Sequence, residues 1–363
     1  MANSVAVDTE GLQDVVDTWE EARRLTSPPL VVREGLGRLL KTDGLPEVER
    51  IDAGHSNATF IVRTPTLRCI LRRPPRPPFE PKAHDVLREY RYLNALRDQP
   101  VRVPVALLQC EDRSIIGSPF YLMEALDGVA LRDQVPVSFD TPAARRRIGE
   151  QLVDALHELH EIDASGLGLG DTTHGERYLE RQVSLWAEQW TRNQTREIRA
   201  VDEVTRLLRA TIPVSHRVAV VHGDYKLDNV LFARPGPPTL VAILDWEMAT
   251  LGDPLADLGY LTGTWIDPGE GPDRLLGLGA VTAQPGFSSR RELAARYADR
   301  SGLPLGDLAW YQALALWKLA ILLEASYRRF LTGTTSDAFF GELERGTPKI
   351  AEHALEAARG GLL

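Results

Sequence analysis

Residues 220–232 read VVHGDYKLDNVLF. His222, Asp224, Lys226, Asp228 and Asn229 crowd together between two apolar runs. Each residue type has a possible task in moving a phosphoryl group. An aspartate at the head of a loop accepts a proton from a substrate hydroxyl. An asparagine amide oxygen five residues later curls back to ligate a hard cation. Lys226 places an ammonium beside the transferring group, and His222 holds the loop through its ring nitrogens. A polar turn between two buried strands would account for any one of these residues, but not for the set.

A second constellation follows at once. VAILDWE, residues 241–247, is a buried strand ending in Asp245. Alone, a strand-end aspartate is a turn-former or a helix cap. Here a hairpin-length gap separates it from Asn229, so the two side chains can meet on one Mg²⁺. That ion takes few protein ligands and draws the rest from phosphate and water, so one Asp and one Asn suffice.

The elements that must position these groups fall into two textures. The first ~45 residues carry helical patterns, DVVDTWEEARRL and VVREGLGRLL, broken at Ser27-Pro28-Pro29. Val48–Ala53, Ala58–Thr64 and Leu67–Arg72 are short β-branched runs that predict three antiparallel strands. A proline-rich loop, 74–81, leads to a helix over His84–Asp98 with an apolar stripe at Val86, Leu87, Tyr90, Leu93 and Leu96. Val103–Gln109 and Pro119–Met123 complete a five-stranded sheet. From about Leu126 the pattern turns helical: Pro142–Ile162, 176–192, 197–210, and near 255–264, 289–300, 305–331 and 336–358. Short strands interrupt it, Val218–Val221 pairing with Val230–Phe232, then Leu240–Leu244. The reading is an α+β chain with a small β-rich lobe, residues 1–125, and a larger helical lobe, residues 126–363.

Bulk composition fits. The 363 residues are 43% hydrophobic and 26% charged, with a net charge of −9, which argues against nucleic acid or an anionic membrane held by bulk electrostatics. The two cysteines, Cys69 and Cys110, have neither metal-ligand nor disulfide spacing, which predicts a reducing compartment. MANSVAVDTE lacks the n- and h-regions of a signal peptide. The apolar stretch near 312–327 is interrupted by Lys318 and Glu324 and predicts a buried helix rather than a span. A cytoplasmic location is expected.

HGDYKLDN followed by ILDWEMATLGDPLADLGY resembles the aminoglycoside phosphotransferase family, whose fold is bilobal and protein-kinase-like. GHSNATF, LRRPP and HDVLREYRYLNAL are similar to the subgroup fused to acyl-CoA dehydrogenases or standing alone in bacteria. The resemblance covers roughly residues 45–335. It implies Asp224 as catalytic base, Asn229 and Asp245 as Mg²⁺ ligands, and Asp257 as the carboxylate that buttresses the loop beside His222. Lys226 is similar to the lysine of Ser/Thr kinase catalytic loops. ATP is the implied donor, with GTP as an alternative.

The resemblance also asks for a phosphate loop, a cation on the third strand and a carboxylate on the helix. DAGHSNATF holds only Gly54, so Ser56, Asn57 and backbone amides would cradle the phosphates. No lysine lies on the third strand, so LRCILRR must supply an arginine. Arg72 is favoured, with Arg73, on the opposite strand face, as the alternative. Glu89 is its partner, and backbone groups at Glu124 and Ala125 would meet an adenine edge. Only Met248–Gly252 separates Glu247 from DPLADLGY, which leaves no room for a protein-docking activation segment. A small hydroxylated acceptor is therefore expected, a hydroxyacyl-type metabolite among them. The competing reading is a catalytically silent nucleotide-binding module. A hydrolase using His222 or His216 with a serine has little support, since no nucleophile elbow of the GxSxG type is present. Trp265, Asp267, Glu270 and Asp273 are candidates to line the acceptor cleft.

Overall fold

Two pairs of adjacent valines set the N-terminal layout. In the computed structural model, which describes residues 13–51, 57–77, 84–170, 175–271, 275–333, 339–360 and 362, β1 (Val15–Val16) lies parallel to β2 (Val31–Val32). Asp14 O receives Leu30 N–H and Val31 N–H at 2.7 and 2.9 Å. The helices expected across both segments are shorter for this reason, α1 at Trp19–Ala22 and α2 at Arg33–Leu40. β-branched pairs favour the extended backbone when a partner strand is available.

The small-lobe sheet follows: β3 (Glu47–Arg50), β4 (Ala58–Arg63), β5 (Arg68–Arg73), α3 (Val86–Leu96), β6 (Ala106–Cys110), α4 (Arg113–Ile116) and β7 (Phe120–Glu124). All pairings are antiparallel, in the order β3-β4-β5-β7-β6. Alternation sends Phe60, Val62, Cys69, Leu71, Phe120 and Leu122 to one face, where they form a core with Leu30, Val31 and Leu36. The opposite face carries Arg72 directly across from Tyr121. Its covering helix α3 starts at Asp85, whose side chain accepts from Arg88 N at 3.0 Å. Val86, Tyr92, Leu93 and Leu96 of α3 join the larger of the two main apolar clusters, which takes in Ala106 and Tyr121 of the sheet together with the large-lobe core.

The large lobe continues with α5 (Pro142–His160), α6 (Tyr178–Asn193), α7 (Arg199–Ala210), β8 (Ala219–Val221), β9 (Val230–Phe232), β10 (Leu240–Ile243) and β11 (Thr250–Gly252). It ends with α8 (Leu255–Gly263), α9 (Arg290–Ser301), α10 (Leu308–Leu331) and α11 (Phe339–Ala358). α10 is long and apolar enough to cross a membrane by composition, yet 78% of that window is buried among the other helices. The strand pairing differs from expectation. β8 pairs with β11, and β9 pairs with β10. The loop after β8 ends in a 3-10 turn, Leu227–Asn229, that carries β9 away from β8. Thr250–Gly252 is too short to announce itself as a strand in sequence.

Candidate active site

The loop after β8 is held from below by one buried carboxylate. Asp257, on the first turn of α8, accepts His222 N–H through Oδ2 at 2.6 Å and Gly223 N–H through Oδ1 at 2.7 Å. His160 Nε2 lies 3.2 Å from the same Oδ2, and its Nδ1 lies 2.7 Å from Tyr297 Oη. His222 is fully buried and spans the loop. Its Nε2 donates to Leu244 O at 2.8 Å while Nδ1 accepts Asp224 N–H at 3.3 Å, which fixes the neutral Nε2-protonated tautomer. Gly223 has φ +86°, and a Cβ there would sit 2.7 Å from Met248 O. Only glycine satisfies both conditions. His222 and Asp257 thus both hydrogen-bond to the backbone of the loop.

Asp224 stands at the centre of this frame. Asn229 Nδ2 donates to its Oδ2 at 2.7 Å and to its backbone carbonyl at 2.9 Å. Lys226 Nζ lies 3.2 Å from Oδ2, and the Tyr260 hydroxyl also bonds the carboxylate. Burial alone would raise its pKa, but the Lys226 ammonium and the Tyr260 hydroxyl outweigh burial and hold it below the usual carboxylate range. The same pairing, with Asp228, keeps Lys226 above its ordinary value despite burial. Asp228 shifts the other way, raised by burial against the pull of Lys226 and Arg132. Asp224 is thus ionised at neutral pH and positioned by three separate donors.

The metal-ligand candidates lie beside it. Asn229 commits its amide nitrogen to Asp224, which leaves its carbonyl oxygen as the atom able to ligate a cation. Asp245 follows β10 with φ +66°, a left-handed backbone that turns the chain sharply at the strand end. Leu244 N–H donates to Asn229 O at 2.8 Å, tying the two ligand-bearing segments together. An oxygen-only pair of this kind suits Mg²⁺ bound with phosphate. Among the described residues no group of three or more His, Cys, Asp or Glu could hold a metal unaided.

Arg72 links the lobes. Its Nη2 donates to Asp245 Oδ1 at 2.6 Å, and its Nε lies 2.8 Å from Glu89 Oε2, an ion pair whose N–H is not aligned as a hydrogen bond. Burial pushes Glu89 up to about 7, with Arg72 pulling in the opposite direction. Tyr121 donates to Glu89 Oε2 at 3.0 Å, and Asn57 donates to Oε1. Arg73, the alternative, is spent on the carbonyls of Leu30, Pro74 and Ile116, and burial lowers it to about 10. The two arginines lie on opposite faces of the strand, and Arg72 is the one on the Tyr121 face.

Other expectations are redistributed. Gly54 and Ser56 lie outside the described residues. Asn57 is buried, with Nδ2 on Glu89 and Oδ1 3.0 Å from His84 Nδ1, so its side chain orients Glu89 instead of pointing into a phosphate cradle. Glu124 N–H donates to Val105 O at 2.9 Å, and Ala125 O accepts from Arg68 at 3.2 Å. Of the acceptor-cleft candidates, only Trp265 joins Lys226, Asp228 and Tyr260 around a cavity beside the loop. Asp267 and Glu270 turn to the buried Arg290, whose backbone N–H meets Asp267 at 2.7 Å and whose guanidinium meets Glu270 at 2.5 and 3.1 Å. An arginine twenty residues away neutralises them, which no local pattern announced. Asp273 lies outside the described residues.

Several contributors went unread in the sequence, His160 beneath Asp257 among them. Tyr260 is three residues from Asp257 on one helix, a spacing that places both toward the loop and could have revealed it. Tyr121 emerges only from the strand register. Arg88 donates to Glu247 O at 2.9 Å and to Ala249 O, joining α3 to the turn after Asp245.

The chain is similar to known proteins over most of its length. Acyl-CoA dehydrogenase family member 10 of Mus musculus is 32% identical over 347 residues, 95% of this chain and 32% of that protein. Family member 11 of Rattus norvegicus is 34% identical over 316 residues, 86% of this chain and 40% of that protein. The chain therefore spans about a third to two fifths of the length of these curated relatives. An aminoglycoside phosphotransferase-like protein from Ralstonia eutropha JMP134 superposes with TM-score 0.74 at 32% identity, covering 90% of this chain and 98% of the other. The fold is also that of aminoglycoside phosphotransferase APH(4)-Ia, solved with AMP-PNP and hygromycin B, at TM-score 0.57, 15% identity and coverage of 90% and 97%. The model of the phosphotransferase enzyme family, APH, matches residues 47–294, and the chain belongs to that family.

Proposed function

We propose that the protein transfers the γ-phosphoryl group of Mg-ATP to a hydroxyl of a small-molecule acceptor. The observation that carries this reading is the setting of Asp224: ionised, 2.7 Å from Asn229 Nδ2 and 3.2 Å from Lys226 Nζ, on a loop clamped by Asp257. Asp224 orients the acceptor hydroxyl and takes its proton as the new oxygen–phosphorus bond forms and the bond to the leaving ADP oxygen breaks. Lys226 offsets charge at the transferring group. Asn229 and Asp245 are the residues to hold Mg²⁺, which when bound neutralises phosphate charge. Arg72, fixed by Glu89, serves the phosphates in place of a lysine.

The nucleotide belongs between the small lobe, residues 1–125, and the acceptor-binding lobe, residues 126–363. The names of the curated relatives support a hydroxyacyl-type acceptor over an antibiotic. The test is ADP release with Mg²⁺ and ATP or GTP across a panel of hydroxylated acceptors, wild type against Asp224→Ala. Acceptor-dependent release that disappears in the variant supports the proposal. Nucleotide binding without turnover on any acceptor would favour a silent module instead.

A further inference from the structure

Among the described residues, the buried charges come with polar partners, with Lys318 as the exception. Arg72 has Glu89 and Asp245, Arg290 has Glu270, and Glu324 has Arg196 and the Thr195 hydroxyl. Lys318, midway along α10, is only 5% exposed, and among the described residues no carboxylate or hydrogen-bond acceptor meets its ammonium. What it does meet is the face of Trp186 from α6, at 5.3 Å from the ring centre. A ring face offers a buried ammonium partial compensation. Burying an ammonium without a counter-charge costs several kcal/mol, so a fold retains one where something else is gained.

Its position says what that gain is. The acids whose charge reaches it are Asp257 and Asp224. Both are committed elsewhere: Asp257 to the amides of His222 and Gly223, Asp224 to Asn229 and Lys226. Leu319, the next residue of α10, lines the cavity beside the loop with Lys226, Asp228 and Tyr260, so Lys318 is a cation at the edge of that cavity, backed by the Trp186 ring and without a carboxylate of its own. Burial brings its pKa down to about 8, so it remains largely protonated at neutral pH.

We propose that Lys318 is the anion-recognition point of the acceptor site, so that the acceptor carries an oxyanion, carboxylate or phosphate, close to the hydroxyl it presents to Asp224. Lys318 is a specificity residue under this proposal, not a participant in the bond-making step. The identity of the hydroxyl partner rests on the phosphotransferase reading above; the anion site itself does not.

The experiment has two arms. First, the melting temperatures of the wild type, Lys318→Met and Lys318→Arg are followed while 2-, 3- and 4-hydroxybutyrate, their methyl esters, glycerol 3-phosphate and glycerol are titrated. At least one anion raises the wild-type Tm by a few degrees where its neutral counterpart does not; Lys318→Met loses the shift and Lys318→Arg keeps part of it. Whether the carboxylates or the phosphate give it identifies the anion. Second, any acceptor that turns over with Mg-ATP favours the acid over its ester at least tenfold in kcat/KM, and Lys318→Met abolishes that preference through KM. The proposal is overturned if no anion shifts the wild type, or if Lys318→Met responds as the wild type does. A Mg-ATP shift measured in parallel reports on the phosphotransferase reading alone. If that shift is absent while the anion shift persists, the proposed function falls and the anion site stands.

Discussion

Arg72 Nη2 and Asp245 Oδ1 lie 2.6 Å apart although 173 residues separate them in sequence. One end of this contact stands on the small-lobe sheet, the other on a strand end of the large lobe. Removing the cation leaves Glu89, 1% exposed, beside Asp245 with no compensating charge. Arg72→Ala is therefore expected to destabilise the fold by about 3 kcal/mol and to weaken Mg-ATP binding at least tenfold. Arg72→Lys recovers part of the binding but not the two-sided contact. Urea denaturation and a nucleotide-dependent melting shift check both points. Arg73→Ala is the control: it loosens the small lobe but leaves the ATP KM of the folded enzyme unchanged.

Asp257 touches no reacting atom in the proposed mechanism, yet its replacement should be felt there. Asp257→Asn keeps one acceptor oxygen and turns an amide N–H₂ toward a backbone N–H. A loss of about 2–4 kcal/mol in stability follows from the unmatched buried donors. A fall in kcat of about a hundredfold with ATP KM nearly unchanged is the expected kinetic signature, read by steady-state assay at a temperature where the variant remains folded.

Asp224→Asn removes the proton acceptor while preserving shape. The expected loss in kcat is about 10²–10⁴-fold, the usual contribution of general acid–base catalysis. The depressed pKa of Asp224 adds a pH statement. A carboxyl whose folded pKa is lowered gives stability that is present above its unfolded value, about 3.9, and is lost as pH falls through the folded value. The activity profile should accordingly show no acid limb from this group above about pH 4. An inflection near pH 6 that vanishes in Asp224→Asn would contradict the assignment.

Gly223→Ala tests the backbone. At φ +86°, with Met248 O 2.7 Å from the new Cβ, the loop must move or strain. The expected cost is about 1–3 kcal/mol, and activity should fall with it. Gly302, also at positive φ but with nothing near its Cβ position, is the comparison site. Gly302→Ala should cost less and leave kcat intact.

Lys318 makes stability depend on pH in the opposite sense from Asp224. Burial brings its folded pKa down to about 8, below the 10.5 of an ordinary lysine. Between those values the unfolded chain holds the proton and the folded chain does not, so this group's contribution rises with pH. Lys318→Met should therefore be more stable than wild type below pH 8, by on the order of 2–3 kcal/mol, with the difference shrinking toward pH 10. Paired urea titrations at pH 7 and pH 9.5 measure it.

The chemistry of the site was legible where it is local. HGDYKLDN and LDWE carry their residue types and spacing openly, and a third strand without lysine leaves arginine as its cation. Alternation then separated Arg72 from Arg73, because side-chain direction in a strand follows a period of two. What could not be read depends on long-range pairing. The partner of β8 is a three-residue strand thirty residues away. Asn57 is drawn inward by Glu89, and Asp267 and Glu270 by Arg290. Such contacts are set by how elements dock, which no window of sequence contains. The shortened N-terminal helices show the same limit at smaller scale, since Val15–Val16 is extended only because Val31–Val32 lies beside it.

Arg88 binds the carbonyls of Glu247 and Ala249, and most of the buried side chains of α3 pack into the larger apolar cluster. Glu89, the next residue of α3, holds Arg72 and Tyr121 of the sheet. Mechanically, then, α3 is a rivet through both halves, and neither half can shift against the helix without breaking a buried polar contact.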